Sequence, residues 1–210
     1  MNSKSKTKPK LILASGSAYR KQVLESMNLD FETIVSKIDE SFADKYACEE
    51  RPEIIAKAKA EAVRAKIAQM PPQEQKQYKN ALIIAADTLL MMNGKSYGKP
   101  QNRSEAFQFL EAFSGNTHFA GTSIVVFNMQ TEAYHSVKNK TAVSFKKLEA
   151  QEINAYLDTG EWQGAAGGYR IQGLGECLIK SIEGSTSCVA GLPISDFYDI
   201  LRAQNYSVLE

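Results

Sequence analysis

The sequence predicts an open α/β fold, and three observations carry that expectation. Leu82 to Ala86 is a short, wholly apolar run of the kind that forms a strand covered on both faces. Lys10 to Ala14 reads as a second strand, followed by the small-polar loop Ser15-Gly16-Ser17 and then by a helical pattern. Helix-period segments at 51–69, 104–113 and 193–204 are interleaved with β-rich stretches along the rest of the chain.

The N-terminal nine residues stand apart. Lys4, Lys6 and Lys8 precede the first apolar run, and this basic segment reads as a disordered, solvated tail ahead of one domain spanning 10–210. Tyr19 to Asn28 carries Val23, Leu24 and Met27 at helical spacing, with Ser17 as its N-cap. Arg20 and Lys21 in the first turn oppose the helix dipole unless an anion sits nearby. A capped helix with surface cations fits the same residues.

Phe31 to Val35 reads as a short strand, leading to Asp39-Glu40. Two carboxylates in such a loop can be plain polar loop, or hard oxygen ligands for Mg²⁺. Arg51 to Gln69 reads as a long helix with Pro52 near its start and an apolar face through Ile55, Ala58, Ala62 and Ile67. Lys57 and Lys59 fall on different faces, so at most one reaches the core side. Met70-Pro71-Pro72 stops that helix, and Gln73 to Asn80 reads as a polar connector.

The stretch from Ala81 to Pro100 organises the rest. Its apolar run ends in Asp87-Thr88, and carboxyl ends of strands are where open α/β sheets bind ligands. Asn93-Gly94 makes a tight turn, and the chain returns through Gly98 to Lys99-Pro100. Asp87 and Lys99, on the two arms of this hairpin, can face a single phosphate–metal site. Taken alone, Asp87 also fits a turn cap and Lys99 a solvated cation.

Ser104 to Phe113 follows as a helix with Ser104 as N-cap. Thr117 to Met129 and Ala133 to Phe145 form a long hairpin, and Glu149 to Leu157 a short helix. A glycine-rich loop runs from Gly160 to Gly173, offering close backbone approach to a ligand and Gln172 to read a polar edge. Leu178 to Ile182 reads as a strand, and Pro193 to Gln204 as a closing helix with Ile194, Phe197, Ile200 and Leu201 inward.

Composition narrows the function classes. Of 210 residues, 43% are hydrophobic and 23% charged, ordinary for a soluble globular protein able to bury a core. A formal net charge of +1 gives no footprint for a nucleic-acid partner. Three cysteines and two histidines show no zinc-ligand spacing. With no signal-peptide pattern and no run long enough to span a bilayer, the expectation is a cytoplasmic protein without a membrane partner.

Several motifs, taken together, resemble the Maf family of nucleoside triphosphate pyrophosphatases. They are Leu13-Ala14-Ser15-Gly16-Ser17 with Arg20, Asp39-Glu40, Ala56-x-x-Lys59-Ala60, Ala86-Asp87-Thr88 and Gly98-Lys99-Pro100. Ser114-Gly115-x-Thr117-His118, Gly160-Glu161, Ala166-Gly167-x-Tyr169-x-Ile171-Gln172-Gly173 and Gly191-Leu192-Pro193 continue the series in the family order. The resemblance implies a Maf/inosine-triphosphatase-like α/β fold, with a mixed twisted central sheet, flanking helices and two lobes around a cleft, often as a homodimer. It implies hydrolysis of a nucleoside triphosphate to the monophosphate and pyrophosphate with a divalent cation, Mg²⁺ or Mn²⁺.

Carried over by position, the catalytic residues are Asp87, Glu40, Lys59 and Lys99, with Glu40 and Asp87 as the metal ligands. Ser15, Arg20, Thr88 and Gln172 are the substrate-binding residues. Attack of water at the α-phosphorus loads charge onto phosphoryl oxygens, which explains a site built of cations and metal-holding carboxylates. Where the family often shows Pro-Arg-Arg, this chain has Ala18-Tyr19-Arg20, and Ala165 stands where a Lys is usual. The segment from Gln69 to Lys79 is somewhat long. Asp87-Thr88 and Ile171-Gln172-Gly173 look like the branch acting on dTTP and UTP, whereas an aromatic at Tyr19 looks more like the branch acting on 7-methyl-GTP. A catalytically weak nucleotide-binding regulator of cell division is the rival reading.

Overall fold

A computed structural model describes residues 8–209. The expected tail lies outside the described residues as far as position 7; Lys8 is described, its ammonium 4.4 Å from the centre of the Tyr206 ring.

A seven-stranded mixed sheet runs in the order β2-β1-β3-β5-β6-β7, with β4 paired to β3. The strands are β1 (Leu11–Leu13), β2 (Phe31–Thr33), β3 (Leu82–Met92), β4 (Lys95–Tyr97), β5 (Thr117–Asn128), β6 (Ala133–Phe145) and β7 (Ile179–Glu183). β2, β1 and β3 are mutually parallel, and the remaining pairs are antiparallel. The helices are α1 (Ala18–Ser26), α2 (Arg51–Ala68), α3 (Pro72–Gln75), α4 (Arg103–Phe113), α5 (Ala150–Asp158), α6 (Thr186–Ala190) and α7 (Ile194–Ala203).

Why β1 and the first half of β3 read as unbroken apolar runs is now evident: helices cover both of their faces. Leu11, Leu13, Leu82, Ile84 and Ala86 pack towards Val23 and Leu24 of α1 and Phe197 and Leu201 of α7. Ile12, Ile83 and Ala85 face the other way, onto Ala56, Ala60, Val63 and Ile67 of α2. A further cluster joins Leu90, Met92, Phe113, Val143 and Phe145 to Ile153 and Leu157 of α5 and to Tyr169 of the glycine-rich loop. Full burial of each such Leu or Ile contributes about 1.5–3 kcal/mol.

Several local expectations need correction. β3 does not end at Asp87-Thr88; it continues to Met92, because Leu89 to Met92 resume the apolar pattern and pair with β4 and β5. Helix α2 buries Ala56, Lys59, Ala60 and Val63 with Ile55 and Ile67, rather than Ala58 and Ala62. Asn102, not Ser104, caps α4, its side chain accepting from the Glu105 N–H. The connector after Met70 is ordered as α3 and a 3₁₀ turn over Lys76–Tyr78, anchored by buried Tyr78, whose hydroxyl donates to Glu32. The short helix α6 follows β7 without a helical pattern to announce it; Ser185 caps it and Gly191 ends it at φ +114°. The Asn93-Gly94 turn and the long β5–β6 hairpin stand as expected.

One feature positions the site. Along one edge of β3, β1 pairs with Leu82 to Ile84 and β4 with Leu90 to Met92. Among the described residues, Ala85 to Leu89 therefore have no strand neighbour on that edge. On the other edge, β5 pairs with β3 from Leu82 through Met91. The gap opens into a cleft.

Candidate active site

The cleft has a volume of about 1020 Å³ and is lined by the ends of β1 and α1, the 35–41 loop, α2, the middle of β3, and the glycine-rich loop. All eight expected site residues line it: Ser15, Arg20, Glu40, Lys59, Asp87, Thr88, Lys99 and Gln172.

Strand alternation sorts the two polar residues of β3. Asp87 shares its face with Ile83 and Ala85 and so meets α2; Thr88 shares its face with Ile84 and Ala86 and so meets α1. On the α2 side, Lys59 Nζ lies 2.7 Å from Asp87 Oδ1 and 2.8 Å from Glu40 Oε1. One ammonium thus ties together two carboxylates from a strand and a loop. Lys59 and Asp87 are buried, whereas the Glu40 side chain is half exposed towards the cleft. Burial raises the Asp87 carboxyl above its ordinary value, opposed by the charge and hydrogen bond of Lys59 and the charge of Arg20, and helped by Glu40.

On the α1 side, buried Arg20 makes three bonds: Nε to the Gly191 carbonyl (2.8 Å), Nη1 to Ser15 Oγ (3.1 Å) and Nη2 to Thr88 Oγ1 (3.3 Å). Burial lowers its pKa, and the charges of Asp87 and Glu40 oppose that shift. The Thr88 hydroxyl lies 2.9 Å from Thr122 Oγ1, which in turn donates to the Cys188 carbonyl at 2.7 Å. Ser15 Oγ also accepts from the Ser17 N–H, and Ser17 caps α1 by accepting from the Arg20 N–H. Thr88 lines the cleft, as expected of a substrate-binding residue, and also holds Arg20.

Lys99 does not pair with Asp87 across the β3–β4 hairpin. It is exposed on the cleft wall beyond β4, and Lys59 has the position beside the carboxylate. Gln172 is likewise exposed at the cleft. The loop that carries it is fixed. Glu161 accepts from the N–H groups of Leu174 and Gly175, both at 2.8 Å, and from the Tyr156 hydroxyl at 3.0 Å. A side chain at Gly173 would run into the Glu161 carboxylate, which explains the glycine there. Gly167 N–H donates to the Gly98 carbonyl at 2.8 Å, tying the loop to the turn that bears Lys99.

Beneath the loop, fully buried His118 stacks on Phe113 at 4.0 Å and shares a 2.8 Å hydrogen bond with the Tyr169 hydroxyl. Its Nδ1 has no partner, and burial pulls its pKa down to about 4.

Sequence reasoning missed three cleft cations, Lys37, Arg51 and Arg170. Lys37 adopts φ +52°, uncommon for a lysine, and no local pattern marks it. Arg51 pairs with Asp44 and donates to the Tyr46 carbonyl. With Arg20, Lys59 and Lys99, six cations line the cleft against three carboxylates, Glu40, Asp44 and Asp87. Such a balance favours a polyanionic ligand.

Tyr19 lines the cleft, its ring partly packed on the α1–α7 core, and Ala165 lines it as a buried residue. Among the described residues, no three His, Cys, Asp or Glu side chains cluster as a metal-binding group, and no helix is long and apolar enough to cross a membrane.

Comparison with known proteins agrees with this architecture. A sequence profile described as Maf, Maf-like protein, matches residues 10–204. A dTTP/UTP pyrophosphatase of Treponema denticola is 36% identical over 206 residues, covering 95% of this chain and 98% of that protein. A protein of the same name from Desulforamulus reducens is 38% identical over 192 residues, 91% of this chain and 95% of its own. Another, from a Thermoanaerobacter species, is 36% identical over 195 residues, 93% and 96% of the two chains.

Proposed function

The chain belongs to the Maf family, and from that membership and the chemistry of the cleft we propose that it is a nucleoside triphosphate pyrophosphatase acting on dTTP and UTP. It hydrolyses the bond between the α-phosphorus and the bridging oxygen, releasing the nucleoside monophosphate and pyrophosphate. The observation that carries this reading is the Glu40–Lys59–Asp87 arrangement at the base of a cleft with excess positive charge.

In this reading Asp87 orients the attacking water and takes its proton, since it is the buried carboxylate and sits on the rigid strand. Arg20 presents its remaining N–H groups to a phosphoryl oxygen; the Gly191 carbonyl, Ser15 and Thr88 hold it in place. Lys59 holds Glu40 and Asp87 in register, and Lys99 reaches the departing pyrophosphate from the opposite wall. Gln172 hydrogen-bonds the polar edge of the base.

Lys59 engages Asp87 Oδ1 and Glu40 Oε1, and the other carboxylate oxygens, Asp87 Oδ2 and Glu40 Oε2, are the hard donors that would hold Mg²⁺ or Mn²⁺, completed by substrate phosphates and water. When bound there, such an ion supplies charge for the phosphoryl oxygens and a more acidic water. A cytoplasmic enzyme agrees with the free thiols of Cys48, Cys177 and Cys188. A homodimer, without a nucleic-acid partner, completes the proposal, and light scattering in solution tests the dimer.

The deciding experiment is pyrophosphate release from dTTP, UTP, CTP, 7-methyl-GTP and purine triphosphates, with Mg²⁺ or Mn²⁺ and with chelator. Preferred turnover of dTTP and UTP, lost with chelator, supports the reading. Preference for 7-methyl-GTP would move the substrate and make Tyr19 its contact. No turnover by the folded protein would favour a nucleotide-binding regulator.

A further inference from the structure

Two of the six cleft cations are ion-paired within the protein. Lys59 is shared between two carboxylates, and Arg51 is paired with Asp44. Arg20 is buried and carries three internal hydrogen bonds. Among the described residues lining the cleft, Arg20, Lys37, Lys99 and Arg170 are cationic and form no ion pair with a carboxylate, and of these Arg20 already has a place in the proposed reaction.

Arg170 differs from the two lysines. Lys37 and Lys99 are exposed side chains, each of which loses rotamer freedom on gripping a ligand. The Arg170 guanidinium is already oriented: Nε donates to the Glu161 carbonyl at 3.0 Å and Nη2 to the Gln163 carbonyl at 2.7 Å. Its backbone is held too, the N–H donating to the Tyr156 hydroxyl. Carbonyl partners fix direction without cancelling the positive charge, and Nη1 is left with no partner among the described residues. Nη2 lies beside Gly164, itself a cleft-lining residue: a Cβ added to that glycine would be 3.9 Å away. The one carboxylate nearby, that of Glu161, is occupied by Tyr156, Leu174 and Gly175.

We propose that Arg170 is a further substrate-binding residue, a pre-oriented guanidinium that takes a phosphate oxygen of the bound nucleotide from the glycine-rich wall of the cleft. This rests on the nucleotide pyrophosphatase reading. A guanidinium with its fork fixed in advance is suited to phosphate, and little entropy is lost when the anion arrives.

The test is calorimetric titration of the full chain with magnesium pyrophosphate at low and high salt, for wild type, Arg170→Gln and Arg170→Lys. Gln retains an N–H donor for the loop carbonyls and removes the charge; Lys retains the charge and loses the fork. Thermal melting and the UTP-to-CTP turnover ratio are read alongside. We expect Arg170→Gln to bind pyrophosphate roughly tenfold more weakly, as for loss of one charged hydrogen bond. Its affinity should also depend less steeply on salt, with the UTP-to-CTP ratio unchanged and Arg170→Lys intermediate. Wild-type pyrophosphate affinity and salt slope in both variants, with only a lowered melting temperature, would reduce Arg170 to a loop strap. A changed UTP-to-CTP ratio at unchanged pyrophosphate affinity would assign it to the base instead, and equally overturn the proposal. Failure of the wild type to hydrolyse any nucleotide would sink the pyrophosphatase reading while leaving the pyrophosphate titration interpretable.

Discussion

Arg20 and Gly191, 171 positions apart in the chain, are joined by a 2.8 Å hydrogen bond from the guanidinium Nε to the backbone carbonyl. The bond is buried, and it links the cleft-lining end of α1 to the turn that closes α6. Gly191 holds φ +114°, and a Cβ there would meet Thr88 Oγ1 at 3.3 Å and Arg20 Nη2 at 3.6 Å. Gly191→Ala should therefore cost about 1–3 kcal/mol of stability from backbone strain. It should also lower kcat/KM by roughly tenfold or more through displacement of Arg20. Chemical denaturation and steady-state kinetics read the two effects separately.

Asp87→Asn should reduce kcat by about 10²–10⁴-fold, the range for loss of a general base, while circular dichroism and melting report a folded protein. Turnover close to wild type would remove Asp87 from the mechanism. Lys59→Met is expected to be the less stable variant. It leaves Asp87 buried without its ammonium, at about 3 kcal/mol or more, and a denaturant midpoint below that of Asp87→Asn checks the order.

Gln172 is exposed, so Gln172→Ala should leave stability within about 0.5 kcal/mol of wild type. Its effect belongs in the ratio of kcat/KM for UTP against CTP, measured in competition. An unchanged ratio would take Gln172 away from the base.

Glu161→Ala should loosen the loop without touching the chemistry. Three donors lose their acceptor, at about 1 kcal/mol or more for each that stays buried. Hydrogen exchange at Leu174 and Gly175 should accelerate, and KM should rise more than kcat falls.

His118 gives the fold a pH dependence of defined sign. Its folded pKa of about 4 lies below the ordinary 6.5, so below pH 6.5 the unfolded chain takes up the proton first. Stability contributed by the neutral imidazole is complete above pH 6.5 and is lost as pH falls towards 4, on the order of 3 kcal/mol across the interval. Denaturation of wild type and His118→Phe at pH 7.5, 6 and 5 checks this; the variant should show a flatter profile.

Much of this architecture was legible because burial leaves local marks. The runs Leu11–Leu13 and Leu82–Ala86 are apolar on both faces since helices cover both, and Ser17 announced the start of α1. Lys59 was half legible. It and Lys57 were expected on different faces, but alanines at 56, 58, 60, 62, 65 and 68 give α2 little contrast, so which lysine turned inward was hidden. The extent of β3 was misread because Asp87 and Thr88 interrupt the apolar pattern. Their tolerance mid-strand depends on the missing strand neighbour at that edge, a property of the sheet rather than of the segment. The bond from Arg20 to Gly191 and the strapping of Arg170 were illegible for a related reason. Their acceptors are backbone carbonyls, and carbonyls carry no residue identity.

The uninterrupted pairing of β3 with β5 from Leu82 through Met91 has a mechanical consequence. Both banks of the cleft hang from this one beam, with one set of cleft-lining residues on β1, α1 and α2 and the glycine-rich wall packed on its far half. Jaw-like closure would have to bend the beam at Asp87 and break ladder hydrogen bonds made on its other edge. A bend there thus costs sheet pairing, which favours adaptation to a ligand by side chains at the rim.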